Sequence, residues 1–353
     1  MVENPKMNSS FLSNLKTSDI SQYRQTLMGV AIFGVMFSHW FGFQSIKSGI
    51  PYELSAIVVR LVFTEGFLFL SGFGLYYSFS KNQDIKSFYK RRFIRLYIPF
   101  VLLSLPLYLY FLIAREGYGF LDFLSQLTTV YFWFKGNFGG MWYVSLSIML
   151  YLFFPLLYRF FFSKDSSGSI WIRGLCFFAL FYLIIVAIKS LYGGYYSLIK
   201  IGVEKIPFFI IGMFFAYVVK NEKITQQVYW LCFFIVACLY LVLTFTNHFV
   251  PGYWVQHSAG IFQKLFFMPL VCFIFNYLVK VKVGKIIVSF FNWLGRLSLE
   301  LYILHLHFYM FFHHGFLNTS LSPVCQASLA VVLALLLCQP VNRLIAHVTN
   351  KIN

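Results

Sequence analysis

The chain has 353 residues, of which 59% are hydrophobic and only 11% charged, too little polar surface for a soluble domain of this size. Apolar runs of roughly 17–25 residues recur from end to end, and each is long enough to cross a bilayer. The net charge of +17 fits basic cytoplasmic loops and does not require a nucleic-acid partner. We therefore predict an all-α polytopic membrane protein and exclude a soluble enzyme.

Hydropathy predicts ten transmembrane helices, with both termini cytoplasmic. In chain order they cover 24–44, 55–78, 93–113, 142–162, 171–192, 204–220, 228–247, 259–280, 289–312 and 322–346. A further apolar run at 121–134 is too short and too polar for a span and suits an interfacial or re-entrant segment. This topology places most loop Lys and Arg residues on the cytoplasmic side. It predicts one membrane domain, 24–347, between cytoplasmic tails at 1–23 and 348–353.

Several ionisable residues lie inside the predicted spans, where they usually face one another or a water-filled cavity. They are Arg60, Lys264, Arg296, Glu65 and Glu300. Arg296 and Glu300 are four residues apart and could form an ion pair, which a structural role would explain as well as a functional one. We predict no metal site, because neither the six cysteines nor the adjacent His313 and His314 have ligand spacing.

Two histidines in separate spans are predicted to reach the same depth in the outer half of the bilayer. His39 lies about 22 Å along the first span from Arg24, at roughly 1.5 Å per residue. His305 reaches a similar depth in the ninth span, and His307 follows it. The second span runs the other way and brings Glu65 to this level. Imidazoles and a carboxylate could handle protons together, although a hydrogen bond to a neighbouring helix would also explain a lone histidine.

A basic segment, SFYKRRFIRLYIP, lies at the cytoplasmic end of the third span. Its Arg92 and Arg95 are three residues apart, so in an α-helix they share a face and could bind a phosphate. The simpler explanation from the residues alone is positive-inside charge in contact with anionic lipid. A phosphate clamp below a histidine base would suit acyl-coenzyme A, whose long arm carries a thioester away from a phosphorylated nucleotide.

Several short motifs occur in a fixed order along nearly the whole chain. The first span contains His39, the second contains FLFLSGF with Ser71 and Gly72, and Arg92 and Arg95 precede Pro99. Later segments are MWYVSLSIMLYLFFP, with Trp142, Tyr151 and Pro155, then KIPFFIIGM at 205–213, and finally a pattern containing Gly295, Ser298, Tyr302 and His305. Their order resembles acyltransferase family three, integral membrane proteins that O-acylate bacterial surface glycans.

The chain departs from the family pattern at two positions. The family carries Arg or Lys ten residues before the first-span histidine, whereas Met28 stands here. Arg24, one turn earlier on the same helix face, is the candidate replacement. Ser147 occupies a position where the family has a carboxylate, which leaves Glu65 and Glu300 as the acidic candidates.

The resemblance implies transfer of an acyl group, usually acetyl, from cytoplasmic acyl-CoA to a sugar hydroxyl outside the bacterial plasma (inner) membrane. Acyl-CoA would be a donor substrate and not a resident cofactor. Other expected partners are a glycan or lipid-linked saccharide acceptor and membrane lipids, without nucleic acid and with a homo-oligomer left open. The expected residues are catalytic His39, His305 and Glu65; coenzyme-binding Arg92, Arg95 and Arg24; and, elsewhere in the site, Ser71, Gly72, Trp142, Ser298, Glu300, Tyr302 and Arg296.

A second function class fits the same buried charges. They could line the path of a transporter or flippase for an anionic metabolite or glycolipid. The sequence has neither an inverted internal repeat nor matched broken helices, which weakens this alternative.

Overall fold

The structure, a computed structural model, describes residues 19–43, 63–162, 167–221, 271, 274–275, 277–314 and 321–351. Within these ranges every regular element is helical, which confirms the predicted all-α class. The predicted span 228–247, most of 259–280, the start of 55–78, and Arg60 and Lys264 lie outside the described residues.

The described residues form helices α1 to α13 in chain order. They are α1 (Asp19–Phe43), α2 (Phe63–Lys81), α3 (Ile85–Arg92), α4 (Ile98–Ala114), α5 (Phe120–Leu127), α6 (Tyr131–Lys135), α7 (Trp142–Phe162), α8 (Ser167–Leu191), α9 (Gly193–Val203), α10 (Ile206–Lys220), α11 (Lys282–Arg296), α12 (Ser298–His314) and α13 (Pro323–Asn350). A π-helical turn, Phe93–Tyr97, joins α3 to α4.

Five helical runs in the described ranges are long and apolar enough to cross a membrane. They are Ile85–Ala114, Trp142–Phe162, Ser169–Leu191, Gly193–Lys220 and Pro323–Asn350. Helices α11 and α12 would add a sixth if the two, which meet at a bend, count as one span. The chain is therefore a multi-pass helical membrane protein, while ten spans and cytoplasmic termini stay predictions.

The structure corrects two predicted boundaries. Residues 193–203, assigned to an outer loop, form helix α9, so Lys200 lies within the Gly193–Lys220 helical run. The single helix predicted over 289–312 is two helices that part at Leu297. The i, i+4 geometry that would have paired Arg296 with Glu300 is lost at this break. The Glu300 carboxylate instead accepts a hydrogen bond from Asn342 Nδ2 at 2.7 Å.

The chain divides into two compact units. The first comprises 1–38, 48–74 and 210–296, and the second comprises 39–47, 75–209 and 297–353. In the first unit, glycines allow the helix backbones to touch, as is common between membrane helices. A Cβ atom added at Gly29 of α1 would lie 1.7 Å from the Phe291 carbonyl oxygen of α11, and one at Gly295 would lie 1.9 Å from the Gln25 carbonyl oxygen.

In the second unit an aromatic cluster fixes the position of the basic segment. Phe79, Phe88, Phe154 and Tyr158 pack mainly edge to face, with Phe79 5.3 Å from Phe88 and 5.1 Å from Tyr158 between ring centroids. These contacts hold the end of α2, helix α3 and helix α7 together. The Asp84 side chain caps α3 by accepting from the backbone N–H groups of Lys86 and Ser87.

The run at 121–134 forms the short helices α5 and α6, neither long enough to cross a bilayer. Thr129 lies between the two helices, and its backbone has the left-handed conformation, with φ of 62°. Lys135 of α6 forms an ion pair with Asp122 of α5. The hydrogen bond from Lys135 is the main cause that lowers the pKa of Asp122 below its ordinary value. This ion pair holds the two helices to each other outside the spanning segments.

Candidate active site

His39 and His305 meet within the second unit, although 266 residues separate them in the chain. Nδ1 of His39, near the end of α1, lies 2.9 Å from Nε2 of His305 in α12. The rings stack at 5.2 Å between centroids. Nδ1 of His305 lies 2.6 Å from the carbonyl oxygen of Leu301, one turn earlier. His305 is only 1% exposed and His39 is half-buried, so the pair lies inside the protein.

This bonding pattern assigns the protons of both rings. A carbonyl oxygen can only accept, so His305 must carry its hydrogen on Nδ1. In the neutral ring Nε2 of His305 is then an acceptor, and Nδ1 of His39 donates to it. That leaves Nε2 of His39 as the unprotonated nitrogen. The Leu301 carbonyl thus fixes the tautomer of His305. His305 in turn fixes His39 in the tautomer that a general base needs.

The end of α1 that carries His39 is hydrogen-bonded to α13. Nε1 of Trp40, the next residue, donates to Oγ of Ser328 at 3.0 Å. Sequence reasoning did not single out either residue. The only available signal was an indole N–H directly beside a candidate base, since a buried indole nitrogen usually finds a partner.

A glycine loop between α6 and α7 lies against the same face of α12. The Tyr302 hydroxyl donates to the carbonyl oxygen of Gly140, and the Tyr302 ring lies 6.0 Å from that of His305. Gly139 has φ of +60°, and a Cβ there would lie 1.9 Å from the Met310 sulfur. The positive φ favours glycine, and a larger residue there would push the Met310 side chain aside, so the loop lies in close contact with α12. Trp142, at the start of α7, is buried just after this loop.

A second group of buried polar side chains lies where α4 packs on α12. The rings of Tyr108 and His307 are 5.9 Å apart. Tyr108 and Ser104 are fully buried, and His307 is 6% exposed. Among the described residues, no hydrogen bond of regular geometry reaches their side-chain polar atoms. Sequence reasoning missed Ser104 and Tyr108, because they occur in an apolar run without a motif.

The two arginines of the basic segment have different surroundings. Arg92 is half-buried, with Nη2 3.5 Å from Oγ of Ser78 and its guanidinium 5.6 Å from the centre of the Phe88 ring. Arg95 is exposed and lies within electrostatic range of both Arg92 and the Glu300 carboxylate. Arg95 lies within the π-helical turn Phe93–Tyr97 and Arg92 directly precedes that turn, so the α-helical spacing assumed from the sequence does not apply.

Other predicted site residues lie in the first unit. Arg24 donates from Nε to the Leu70 carbonyl oxygen at 3.1 Å, directly before buried Ser71 and Gly72. A Cβ at Gly74 would lie 2.6 Å from Arg24 Nε, so this glycine makes room for the guanidinium. Glu65 is half-buried in the first turn of α2, and Arg296 is exposed at the end of α11. The structure therefore gives Arg24 a place beside the FLFLSGF motif.

The remaining predicted residues lie in the second unit. Ser298 begins α12 and is half-buried, and Glu300 is buried one turn before the catalytic candidate His305. Ser147 is 2% exposed, and its hydroxyl has no hydrogen bond within the part of the chain that the structure describes. The family's carboxylate position is thus occupied here by a buried hydroxyl.

Comparison with protein families assigns the chain to a family. A family model described as an acyltransferase domain matches residues 26–343, nearly the whole chain. The chain belongs to acyltransferase family three. Both histidines, the basic segment and the glycine loop fall within the match, and Arg24 lies just outside it. No curated protein and no solved structure matches the chain significantly.

Proposed function

We propose that this member of acyltransferase family three is an O-acyltransferase of the bacterial plasma membrane, most simply an O-acetyltransferase. Its donor would be cytoplasmic acyl-CoA and its acceptor a hydroxyl of a cell-surface or lipid-linked saccharide. The observation that carries the proposal is the 2.9 Å contact between Nδ1 of His39 and Nε2 of His305, with His305 anchored on the Leu301 carbonyl. A histidine held in one tautomer is suited to accept a proton from an alcohol.

The reaction follows from that tautomer. Nε2 of His39 takes the proton of the acceptor hydroxyl as the oxygen attacks the thioester carbonyl carbon. The imidazolium that forms keeps donating from Nδ1 to Nε2 of His305. The tetrahedral intermediate then collapses, the C–S bond breaks, and the coenzyme thiolate takes the proton from His39. The products are an acyl ester and free coenzyme A, and both rings return to their starting protonation.

The basic segment supplies the second half of the proposal. Arg92 and Arg95 would bind the phosphorylated end of the donor, because guanidinium groups bind phosphate in a planar, bidentate manner. Arg24, held beside Ser71 and Gly72 through the Leu70 carbonyl, would support donor binding in place of the family's basic residue. Acceptor choice and acyl-chain length would depend on the walls around His39.

The decisive test replaces His39 with alanine. Loss of a positioned general base should lower kcat by roughly 10²- to 10⁴-fold. His313→Ala is the matched control, because His313 is an exposed histidine at the far end of α12. The purified protein in lipid nanodiscs would receive acetyl-CoA labelled in the acetyl group, and mass spectrometry would measure acetylated glycan in cells. Unchanged acylation by a well-expressed His39→Ala protein would refute the catalytic role.

The same material separates an enzyme from a carrier. Proteoliposomes would be given acetyl-CoA that carries one label in the acetyl group and another in the nucleotide. An acyltransferase separates the two labels, because the thioester bond is broken. Accumulation of both labels together inside the vesicles would show transport of the intact molecule and would contradict the proposed reaction.

A further inference from the structure

An open cleft of about 400 Å³ lies where the end of α2 meets α3, within the second unit. Its lining residues are Tyr77, Ser78, Lys81, Asn82 and Arg91. Sites for small molecules have volumes of roughly 300–1,000 Å³, so the cleft is at the lower end of that range. Neither of its two cations was among the coenzyme-binding residues expected from the sequence.

The charge of the cleft selects an anion. Lys81 and Arg91 line it directly, and Arg92 reaches its wall through the 3.5 Å contact between Nη2 and Oγ of Ser78. Two cationic side chains therefore line the cleft together with a serine and a tyrosine, and a third cation contacts the serine. A phosphate monoester, with two negative charges and three acceptor oxygens, matches these donors better than a carboxylate does.

The loop between α2 and α3, which contributes Asn82 to the cleft, is held in place by its own hydrogen bonds. Oδ1 of Asn82 accepts from the backbone N–H of Asp84 at 2.9 Å, which leaves the Asn82 amide nitrogen as a donor. The Asp84 carboxylate accepts from the N–H groups of Lys86 and Ser87, and hydrogen bonds from Ser87 lower its pKa. Asp84 is thus occupied as the α3 cap. Arg91 interacts electrostatically with Asp84 but, in the described part of the chain, forms no ion pair with it.

We propose that this cleft binds a phosphate monoester through Lys81 and Arg91. Two sources present that group at the cytoplasmic side of a membrane: the 3′-phosphate of coenzyme A and the headgroup of phosphatidic acid. The coenzyme source rests on the proposed acyl-CoA donor, whereas the lipid source does not. If the ligand is coenzyme A, the cleft is an additional phosphate subsite next to Arg92. If the ligand is phosphatidic acid, the cleft is a lipid site next to Arg92.

The test measures binding, so that it does not depend on catalysis. Radiolabelled coenzyme A and dephospho-coenzyme A, which lacks only the 3′-phosphate, would be titrated into the protein in phosphatidylcholine nanodiscs. Lys81→Gln and Arg91→Gln should each raise the Kd for coenzyme A about 3- to 10-fold and leave that for dephospho-coenzyme A unchanged, because exposed cations contribute modestly. Lys86→Gln removes an exposed cation of α3 that does not line the cleft, and should change neither Kd.

Each outcome decides the proposal. If coenzyme A binding is unaffected, the Tm of each variant is compared in nanodiscs with and without phosphatidic acid. Loss of the stabilisation by phosphatidic acid in both glutamine variants, but not in Lys86→Gln, assigns the monoester to a lipid. Unchanged responses to both ligands overturn the proposal. Charge-conserving Lys81→Arg should restore binding, which excludes misfolding as the cause. If His39→Ala still acylates while Lys81→Gln and Arg91→Gln lose phosphate binding, the proposed reaction fails and this site stands. If His39→Ala is inactive while both glutamine variants respond normally to both ligands, this site fails and the proposed reaction stands.

Discussion

The hydrogen bond between His39 and His305 predicts different effects for two replacements of His305. In His305→Phe a ring of similar shape remains, but this ring cannot accept the hydrogen on Nδ1 of His39, which in the unsubstituted protein makes a 2.9 Å bond to His305. In His305→Gln the amide oxygen can still accept that hydrogen. The two variants therefore differ mainly in whether His39 is held with Nε2 unprotonated. His305 acts through His39 and is a positioning residue.

The size of the effect follows from the buried donor. A buried N–H left without a partner costs about 1–3 kcal/mol, and each 1.36 kcal/mol is a factor of ten in rate. His305→Phe should therefore lower kcat by roughly 5- to 150-fold, mostly below the roughly 10²- to 10⁴-fold loss expected when the base itself is removed. His305→Gln should keep most of the wild-type kcat, because its amide oxygen still accepts from His39. It loses only the contact that His305 makes with the Leu301 carbonyl.

The assay is acyl transfer from labelled acetyl-CoA in nanodiscs, with kcat and KM determined separately for each variant. The expected order of kcat is wild type, His305→Gln, His305→Phe and then His39→Ala, with KM for acetyl-CoA nearly constant. A purely structural role for His305 would instead lower Tm and activity together in both variants. Equal kcat values for the phenylalanine and glutamine variants, at equal Tm, would refute the tautomer argument.

Two further predictions concern stability. Gly29→Ala should lower the free energy of unfolding in detergent by about 1–3 kcal/mol, because its Cβ would lie 1.7 Å from the Phe291 carbonyl oxygen. Gly42→Ala, on the same helix and with no described neighbour within 4 Å, should not. Equal Tm values for the two variants would argue against the close helix contact. The Asp122–Lys135 pair lowers the pKa of Asp122, so its stabilisation is present above the unfolded pKa of about 3.9 and is lost as the pH falls through the folded pKa. Asp122→Asn should thus lower Tm slightly at pH 7 and not at pH 2, and a difference that persists in acid would contradict this assignment.

Helical elements were predictable wherever one apolar run forms one straight helix. The span predicted at 142–162 coincides with α7, and 121–134 is non-spanning as expected. The predictions failed where backbone geometry changes inside an apolar run: at Leu297, at the π-helical turn and at α9. Hydropathy does not detect these features, because the residues of a break, a turn and a straight helix can be equally apolar.

The sequence by itself determined that this is a helical membrane protein, and it brought His39 and His305 to one level, since rise per residue converts position in a span into depth. Only the tertiary structure decided which ring donates to which, because that depends on the Leu301 carbonyl 2.6 Å from His305. Likewise, only packing showed Arg24 bound to the Leu70 carbonyl and Lys81 and Arg91 around one cleft. Hydrogen bonds act over about 3 Å, a distance that spacing along a chain does not specify.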